Sequence, residues 1–364
     1  MEKNKMSKKE FIPQELPIDL NLTPKIYRQL TLASRKLAEL NGFAKIIPNQ
    51  NILINSLVLQ EAKDSSAIEN IITTHDELFL AQIDEKQITK NAKEVQNYEL
   101  ALKTGFKLLQ TDNLLLNKHI LEIQRHLEGN NAGFRIQSGT TLNNPLTGEI
   151  KHIPPQNADD IKRLMSNLEK YINDDADELD PLIKLAIIHY QFETIHPFYD
   201  GNGRTGRILN ILYLAYCKLL DLPILYLSAY IIATKDKYYK LLEEVSKNGN
   251  FNDWIEYVLI GIEKTSQATI SRIKAIDLAM KEISETLQRQ KGTIYSKDFI
   301  EILFSYPYTK IQSIEKGLNI SRQTASAYLK ACEELEILHC VKIGRNKYFI
   351  NLRLFEILRE ELMC

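Results

Sequence analysis

The sequence predicts a mainly α protein with a small β-hairpin in its middle and a helix-turn-helix with a second hairpin at its end. Three observations carry this. Apolar residues recur at threes and fours through most of the chain, as in Leu182, Leu185, Ile188, Phe192 and Ile195. Turn residues bracket short β-prone pieces between about 134 and 155. After Pro307 two short helical patterns, a turn and two short strands follow one another. With 364 residues, 44% hydrophobic and 26% charged, the chain suits a globular protein of two or three domains. A net charge of −1 excludes a polybasic nucleic-acid or membrane binder as the main character, so any basic surface is local.

The elements follow in order. Residues 1–20, charged at first and then carrying Pro13 and Pro17, form an arm. The N-terminus lacks the apolar core of a signal peptide, and the longest mostly apolar run, Leu222 to Ala233, is shorter than the roughly 20 residues that span a bilayer. Cys217, Cys332, Cys340 and Cys364 form no C-x-x-C pair and no zinc spacing, which points to free thiols. The expectation is a soluble, cytoplasmic protein without a membrane partner. Residues 1–110 read as an N-terminal helical region from Pro24 onward. Within it, Ser66 and Glu69 have the spacing of a capping box, in which the serine would cap a helix. Residues 113–130 predict another helix, ending near Gly129.

Next comes Gly133-Phe134-Arg135-Ile136, then turn residues at Asn143-Asn144-Pro145 and Thr147-Gly148, then Ile150-Lys151-His152-Ile153-Pro154-Pro155. These predict a hairpin over about 134–155, whose exposed edge would suit strand addition by another chain. Asp159 to Ile172 and Pro181 to Ile195 read as helices. His189 lies two helical turns before His196, so it is open both to a core role and to half of a His-His metal site.

The chain is organised around residues 196–207, His-Pro-Phe-Tyr-Asp-Gly-Asn-Gly-Arg-Thr-Gly-Arg. Pro197 has no N–H and disfavours helix before it, so it stops the preceding helix and leaves His196 at the lip of a loop. Gly201, Asn202, Gly203 and Gly206 allow backbone N–H groups to turn toward one point at the start of the next helix, where the dipole favours an anion. Arg204 and Arg207 each extend a planar fork of donors suited to phosphate, and Asp200 is a carboxylate able to hold a metal. The residues alone indicate a phosphate site with a base beside it.

Beyond it, Ile208 to Leu220 reads as a buried helix, and Lys235 to Leu242 as another bearing Tyr238 and Tyr239. Trp254 belongs to a last core helix, Asn252 to Ile262, and residues 266–290 form a connector helix. In residues 291–364, Lys310 to Gly317 is a short helix, Ser321 caps a second, and Leu338 to Ile343 pairs with Lys347 to Asn351 through Gly344-Arg345-Asn346. This looks like a winged helix whose second helix shows Arg322, Gln323, Thr324, Ser326 and Lys330, with Arg345 and Lys347 at the wing tip. Residues 290–364 hold eleven Lys+Arg against nine Asp+Glu, a balance of +2, so DNA, a docked target and a second protomer all stay open as partners.

Residues 196–207 match, at every specified position, the Fic-family signature His-Pro-Phe-x-Asp/Glu-Gly-Asn-Gly-Arg-x-x-Arg. The resemblance implies a Fic-type helical core over 111–265, with the hairpin as a flap that pairs with an extended segment of the target. It implies transfer of AMP from ATP to a Ser, Thr or Tyr hydroxyl of a target protein or of the chain itself. His196 would be the base. Asp200, Gly201, Asn202, Gly203, Arg204, Thr205, Gly206 and Arg207 would hold ATP, with Mg²⁺ on Asp200, and Tyr238 or Tyr239 would lie against adenine. Ile150, Lys151 and His152 would be flap residues. Glycine at 203 favours AMP transfer, since a Fic relative with lysine there acts as a kinase; phosphocholine transfer is the rarer variant.

Ser65 to Asn70 further resembles the family's inhibitory pattern, Ser/Thr-x-x-x-Glu-Gly/Asn. That implies an inhibitory helix over about 64–80 with Ser65 and Glu69 as inhibitory residues, Glu69 competing with ATP for Arg207. The alternatives are an enzyme that also removes AMP through Glu69, or a nucleotide-sensing DNA-binding regulator. A homodimer is plausible from the family.

Overall fold

The computed structural model describes residues 9–83, 88–143, 148–174, 176–343 and 346–360. The expected turn residues Asn144, Pro145 and Thr147, the hairpin tip at Gly344 and Arg345, and Cys364 lie outside them. The helices are α1 (Pro24–Ala44), α2 (Gln50–Ile68), α3 (His75–Ile83), α4 (Lys90–Asp112), α5 (Asn117–Glu128), α6 (Ala158–Ile172), α7 (Pro181–Ile195) and α8 (Asn202–Tyr216). They continue as α9 (Leu227–Ala233), α10 (Lys235–Asn248), α11 (Phe251–Lys291), α12 (Lys297–Ser305), α13 (Ile311–Leu318), α14 (Arg322–Glu334) and α15 (Leu352–Arg359). The strands are β1 (Leu142–Asn143), β2 (Ile150–His152), β3 (Tyr308–Thr309), β4 (Leu338–Ile343) and β5 (Asn346–Asn351). The chain is mainly helical, and among the described residues no helix is long and apolar enough to cross a membrane.

Two compact units form. The first comprises residues 1–37, 97–223 and 230–264. Its centre is α7, where every residue from Leu182 to Ile195 except Glu193 is buried, as a helix apolar on all sides must be. Asp180 caps α7 by accepting from the Leu182 amide at 2.8 Å, and Pro181 occupies the first turn, where no N–H is missed. Asn157 caps α6 in the same way, and Gly129 ends α5 in the left-handed conformation. At Gly105 of α4 an added methyl would collide with Leu212 of α8 and Ile123 of α5, so glycine lets the helices close up. Lys184, buried inside α7, is satisfied by the Asp174 carbonyl, by Asp177 at 3.3 Å and by the Tyr171 ring face at 4.5 Å.

The N-terminal arm is tied down in this unit. The Phe11 amide donates to the Ile153 carbonyl at 2.8 Å, and Leu16 exchanges two hydrogen bonds with the Asn167 side chain. β1 and β2 pair antiparallel, Leu142 opposite His152, in the stretch expected as a hairpin.

The second unit comprises residues 38–96, 224–229 and 265–364. Here α2 and α3 share a core with the C-terminal elements: Asn49 donates to Glu301 at 2.9 Å, Asp76 accepts from the Tyr308 hydroxyl, and Phe79 meets the rings of Tyr308 and Phe355. On α2, buried Glu61 accepts from the Ser228 amide at 3.0 Å, and Asp64 accepts from the Tyr226 hydroxyl at 2.6 Å. In the C-terminal part, Asn319 ends α13 in the left-handed conformation and the Ser321 hydroxyl caps α14 through the Thr324 amide. β5 lies between β3 and β4, antiparallel to both.

Two sequence expectations are corrected. The capping box does not form and no single helix spans 64–80: Ser66 lies in the last turn of α2, Glu69 is its C-cap, and the next helix starts at His75. A serine and a glutamate three apart fit a last helical turn as well as a first one. The separate core and connector helices are one helix, α11, of 41 residues. Thr265 and Ser266 break the apolar pattern without breaking the helix; both are buried, and the Thr269 hydroxyl donates back to the Thr265 carbonyl at 2.7 Å.

Candidate active site

α7 delivers His196. The residue is the helix C-cap with φ 49 and ψ 60, a left-handed conformation that costs a non-glycine residue roughly 1–2 kcal/mol. Pro197 prevents any further turn of helix, and the chain reverses. Phe198 is fully buried, and its ring lies 5.4 Å from that of Phe134 and 6.3 Å from that of Phe192. Its backbone is paired at both ends with one side chain: the Phe198 amide donates to Asn202 Oδ1 and Asn202 Nδ2 donates to the Phe198 carbonyl, each at 2.8 Å. The loop from 198 to 202 is thus closed by an amide that imitates a backbone partner. His196, half-buried, stands where this loop begins.

α8 starts at Asn202, after Gly201 at φ 76. Glycine is required there twice over, by the backbone angle and because an added methyl would run into the Glu128 carboxylate. The first amides of a helix lack intrahelical acceptors and, with the dipole, favour an anion. Asp200 is exposed beside them and accepts from the Gly201 amide through Oδ1 at 2.7 Å. Arg204 is buried and donates to Glu128 Oε1 at 2.8 Å. Arg207 is buried, with 3% exposure, in the same region as His189 and Tyr238, whose charged forms its guanidinium biases.

Thr205 and Gly206, both expected at the nucleotide, lie inside the helix packing. The Thr205 amide donates to the Gly201 carbonyl at 2.9 Å and its side chain is fully buried. Gly206 lies against α7, where an added methyl would meet the Glu193 carboxylate and sit 3.0 Å from the Phe192 ring. Its glycine serves helix–helix approach. Gly203 is half-buried on the first turn.

On α10, Tyr238 belongs to the core: its hydroxyl bonds His189 Nε2 at 2.9 Å, and burial pushes its pKa well above the ordinary value. Tyr239 is the exposed ring, 44% accessible and edge-on to Tyr238 at 5.1 Å. His189 stacks on Trp254, and its Nε2 is met by Tyr238 while Nδ1 lies 4.0 Å from Glu193 Oε1; burial, helped by the Arg207 charge, lowers its pKa to about 3. It is a neutral core histidine, and no cluster of three or more metal-binding side chains occurs among the described residues. On β2, Ile150 is exposed, Lys151 pairs with Glu149 at 2.8 Å, and the His152 ring bonds the Thr194 carbonyl at 3.0 Å.

In the other unit, Ser65 is buried on α2, Glu69 is exposed at its end, and Asn70 has φ 63. That angle explains why the residue after the glutamate is of the Gly/Asn kind: asparagine and glycine are the residues that visit this region routinely. Sequence reasoning missed Glu128 and Arg135, which meet the loop from distant positions, and Glu193, whose carboxylate lies against Gly206. Arg135 alone left a trace, in the Gly133-Phe134-Arg135 run before the hairpin.

The fold and loop have known counterparts. A family model described as Fic/DOC family matches residues 114–214, one described as Fic/DOC family N-terminal matches 27–107, and one described as protein adenylyltransferase SoFic-like, C-terminal domain, matches 279–354. Two curated relatives, each named Protein adenylyltransferase Fic, from Drosophila sechellia and Drosophila melanogaster, are 30% identical over 188 residues. That is half of this chain and 35% of theirs, so the chain spans about a third of the length of these relatives.

A Fic family protein from Desulfovibrio desulfuricans superposes with a TM-score of 0.57 at 21% identity, covering 91% of this chain and 97% of the other. A Fic domain containing signaling protein from Bacteroides thetaiotaomicron gives 0.52 at 17% identity, covering 69% and 97%. With the signature loop, its left-handed histidine and these matches together, the chain belongs to the Fic/DOC family.

Proposed function

We propose that this protein is an adenylyltransferase that moves AMP from ATP onto a Ser, Thr or Tyr hydroxyl of a target protein and of itself. The observation that carries this is one loop: His196 at the end of α7 and the first turn of α8 are joined by a turn already closed by Asn202, with Arg207 buried on the next turn of α8. The names of the Drosophila relatives support the same reading.

In this reading ATP lies with its phosphates over the first turn of α8. His196 takes the proton of the target hydroxyl as its oxygen attacks the α-phosphorus; the new O–P bond forms, the bond to the β-phosphate bridging oxygen breaks, and pyrophosphate leaves. A neutral imidazole can accept that proton on its unprotonated ring nitrogen. Arg207 holds outer phosphate oxygens with a bidentate fork, and Arg204, fixed by Glu128, keeps positive charge at the same helix start. Asp200 fits a Mg²⁺ site, since this ion takes one or two carboxylates together with phosphate oxygens. When bound there it would neutralise phosphate charge. Tyr239 offers an exposed ring for adenine, and the β1–β2 pair an edge for an extended target segment.

Glu69 acts as the inhibitor by competing for Arg207. The substitution Glu69→Gly should raise incorporation of label from α-labelled ATP, and His196→Ala should abolish it with or without Glu69. Unchanged incorporation in Glu69→Gly would remove the inhibitory role, and persistence of label in His196→Ala would remove the transfer mechanism.

A second reading concerns residues 291–364 as a winged helix that reads DNA. It is favoured by α14, whose Arg322, Gln323 and Lys330 are exposed on the second helix of the helix-turn-helix.

A further inference from the structure

The Fic signature ends a helix at His196, and the carbonyls of that end must be met by something outside the helix. Three consecutive carbonyls, those of Ile195, His196 and Pro197, are all met by one residue, Arg135. Its Nη2 donates to Ile195 at 3.3 Å, its Nε to His196 at 2.8 Å, and its own backbone amide to Pro197 at 2.8 Å. The same Nη2 donates to the Pro155 carbonyl. Arg135 is fully buried; its Nε and Nη2 donate to backbone carbonyls, and its Nη1 meets no hydrogen-bond partner among the described residues. Phe134, the residue before Arg135, packs on Phe198 of the same loop.

Residues 135 and 155 bound the segment that carries β1 and β2. From the first residue of that segment's root, one guanidinium therefore reaches the last, Pro155, and the backbone of Ile195 and His196. Its planar fork suits this task, because donors at fixed angles can meet several acceptors at once. With the His196 carbonyl held, the left-handed φ/ψ of the residue is held, and with it the direction in which the imidazole leaves the chain.

We propose that Arg135 is the positioning residue of this site: it fixes the His196 imidazole and sets its spacing to the β1–β2 segment. The proposal rests on the transferase reading given above, in which that segment holds the target. None of the groups assigned to the nucleotide is touched by Arg135, so its loss acts on the chemical step and spares ATP affinity.

The test uses the full chain with Glu69→Gly as the parent, and compares Arg135→Lys with it. Lysine keeps the charge and lacks the fork. Expected are a fall of at least tenfold in the rate of AMP incorporation at saturating ATP and a directly titrated ATP dissociation constant within threefold of the parent. In histidine-labelled protein the His196 ring resonance, identified by its loss in His196→Ala, should move and titrate at a different midpoint.

A rate within threefold of the parent overturns the proposal. So does a parallel loss of rate and ATP affinity, which would make Arg135 a general support of the fold. Should Arg135→Lys be unfolded by circular dichroism, Arg135→Gln takes its place, and failure of both to fold assigns the residue to stability alone and likewise overturns it. If the parent itself incorporates no AMP, the transferase reading fails separately; the imidazole resonance still decides, and an unmoved resonance refutes the positioning role.

Discussion

Arg204 and Glu128 form an ion pair 2.8 Å long, with 4% and 12% of their side chains exposed. The arginine belongs to the signature on α8, while the glutamate is the last residue of α5. The pair joins two helices, and its carboxylate fills the space beside Gly201. Removing one partner of a buried pair leaves an uncompensated charge, a loss of about 3–5 kcal/mol. Glu128→Gln should therefore lower the stability of the first unit by about 3 kcal/mol in urea unfolding. A midpoint equal to that of the unsubstituted chain would mean that Arg204 finds water or another partner without cost.

Gly206→Ala tests the closeness of α7 and α8. Alanine is the better helix former by about 1 kcal/mol, yet its methyl would meet the Glu193 carboxylate and the Phe192 ring. Overpacking of this kind costs about 1–3 kcal/mol, so the net effect should be destabilising. Thermal unfolding measures it, and a raised midpoint would show that Glu193 moves aside freely.

Glu69→Gly should raise AMP incorporation by on the order of tenfold or more. A charged bidentate hydrogen bond contributes about 1.5–3 kcal/mol, and about 1.4 kcal/mol corresponds to a factor of ten. Pulse labelling at a fixed ATP concentration gives the ratio.

His189 gives a pH prediction with a defined sign. Its folded pKa, about 3, lies below the unfolded value of about 6.5, so the unfolded chain binds the extra proton as pH falls. Its contribution to stability is complete above about 6.5 and declines as the solution is acidified toward 3, by up to about 1.4 kcal/mol per pH unit. His189→Gln should flatten the pH dependence of unfolding of the first unit between pH 6 and 4 by one proton's worth. An unchanged slope would place the acid sensitivity elsewhere.

For residues 291–364 the measurable quantity is salt dependence. If α14 meets DNA phosphates, Arg322→Ala in the full chain should weaken binding and reduce the slope of log affinity against log salt by about 1. No salt-sensitive gel shift with the unsubstituted chain would retire the DNA reading.

The helices were legible because their local chemistry is complete in the sequence. Pro181 behind Asp180, Gly129 after Glu128, and Ser321 before the apolar run of α14 each mark an end that the structure places there. The loop was legible for the same reason: Pro197, Gly201 and Asn202 each specify a backbone event. What escaped was of two kinds. Some local signals had two solutions, as at Ser66 and Glu69, or were overridden, as at Thr265, whose carbonyl accepts a hydroxyl from the next turn of an unbroken helix. Other residues act only across distance. Arg135 meets His196 and Glu128 meets Arg204 through packing that no spacing rule contains.

The mutual hydrogen bonds of Phe198 and Asn202 have a thermodynamic corollary. A turn that has already surrendered its freedom during folding surrenders none on ligation, so whatever anion settles at the head of α8 keeps its association energy instead of losing part of it to ordering the loop. Asn202→Ala should accordingly weaken anion capture through slackness rather than through a missing contact, and a smaller, more negative entropy of association by calorimetry would be its signature.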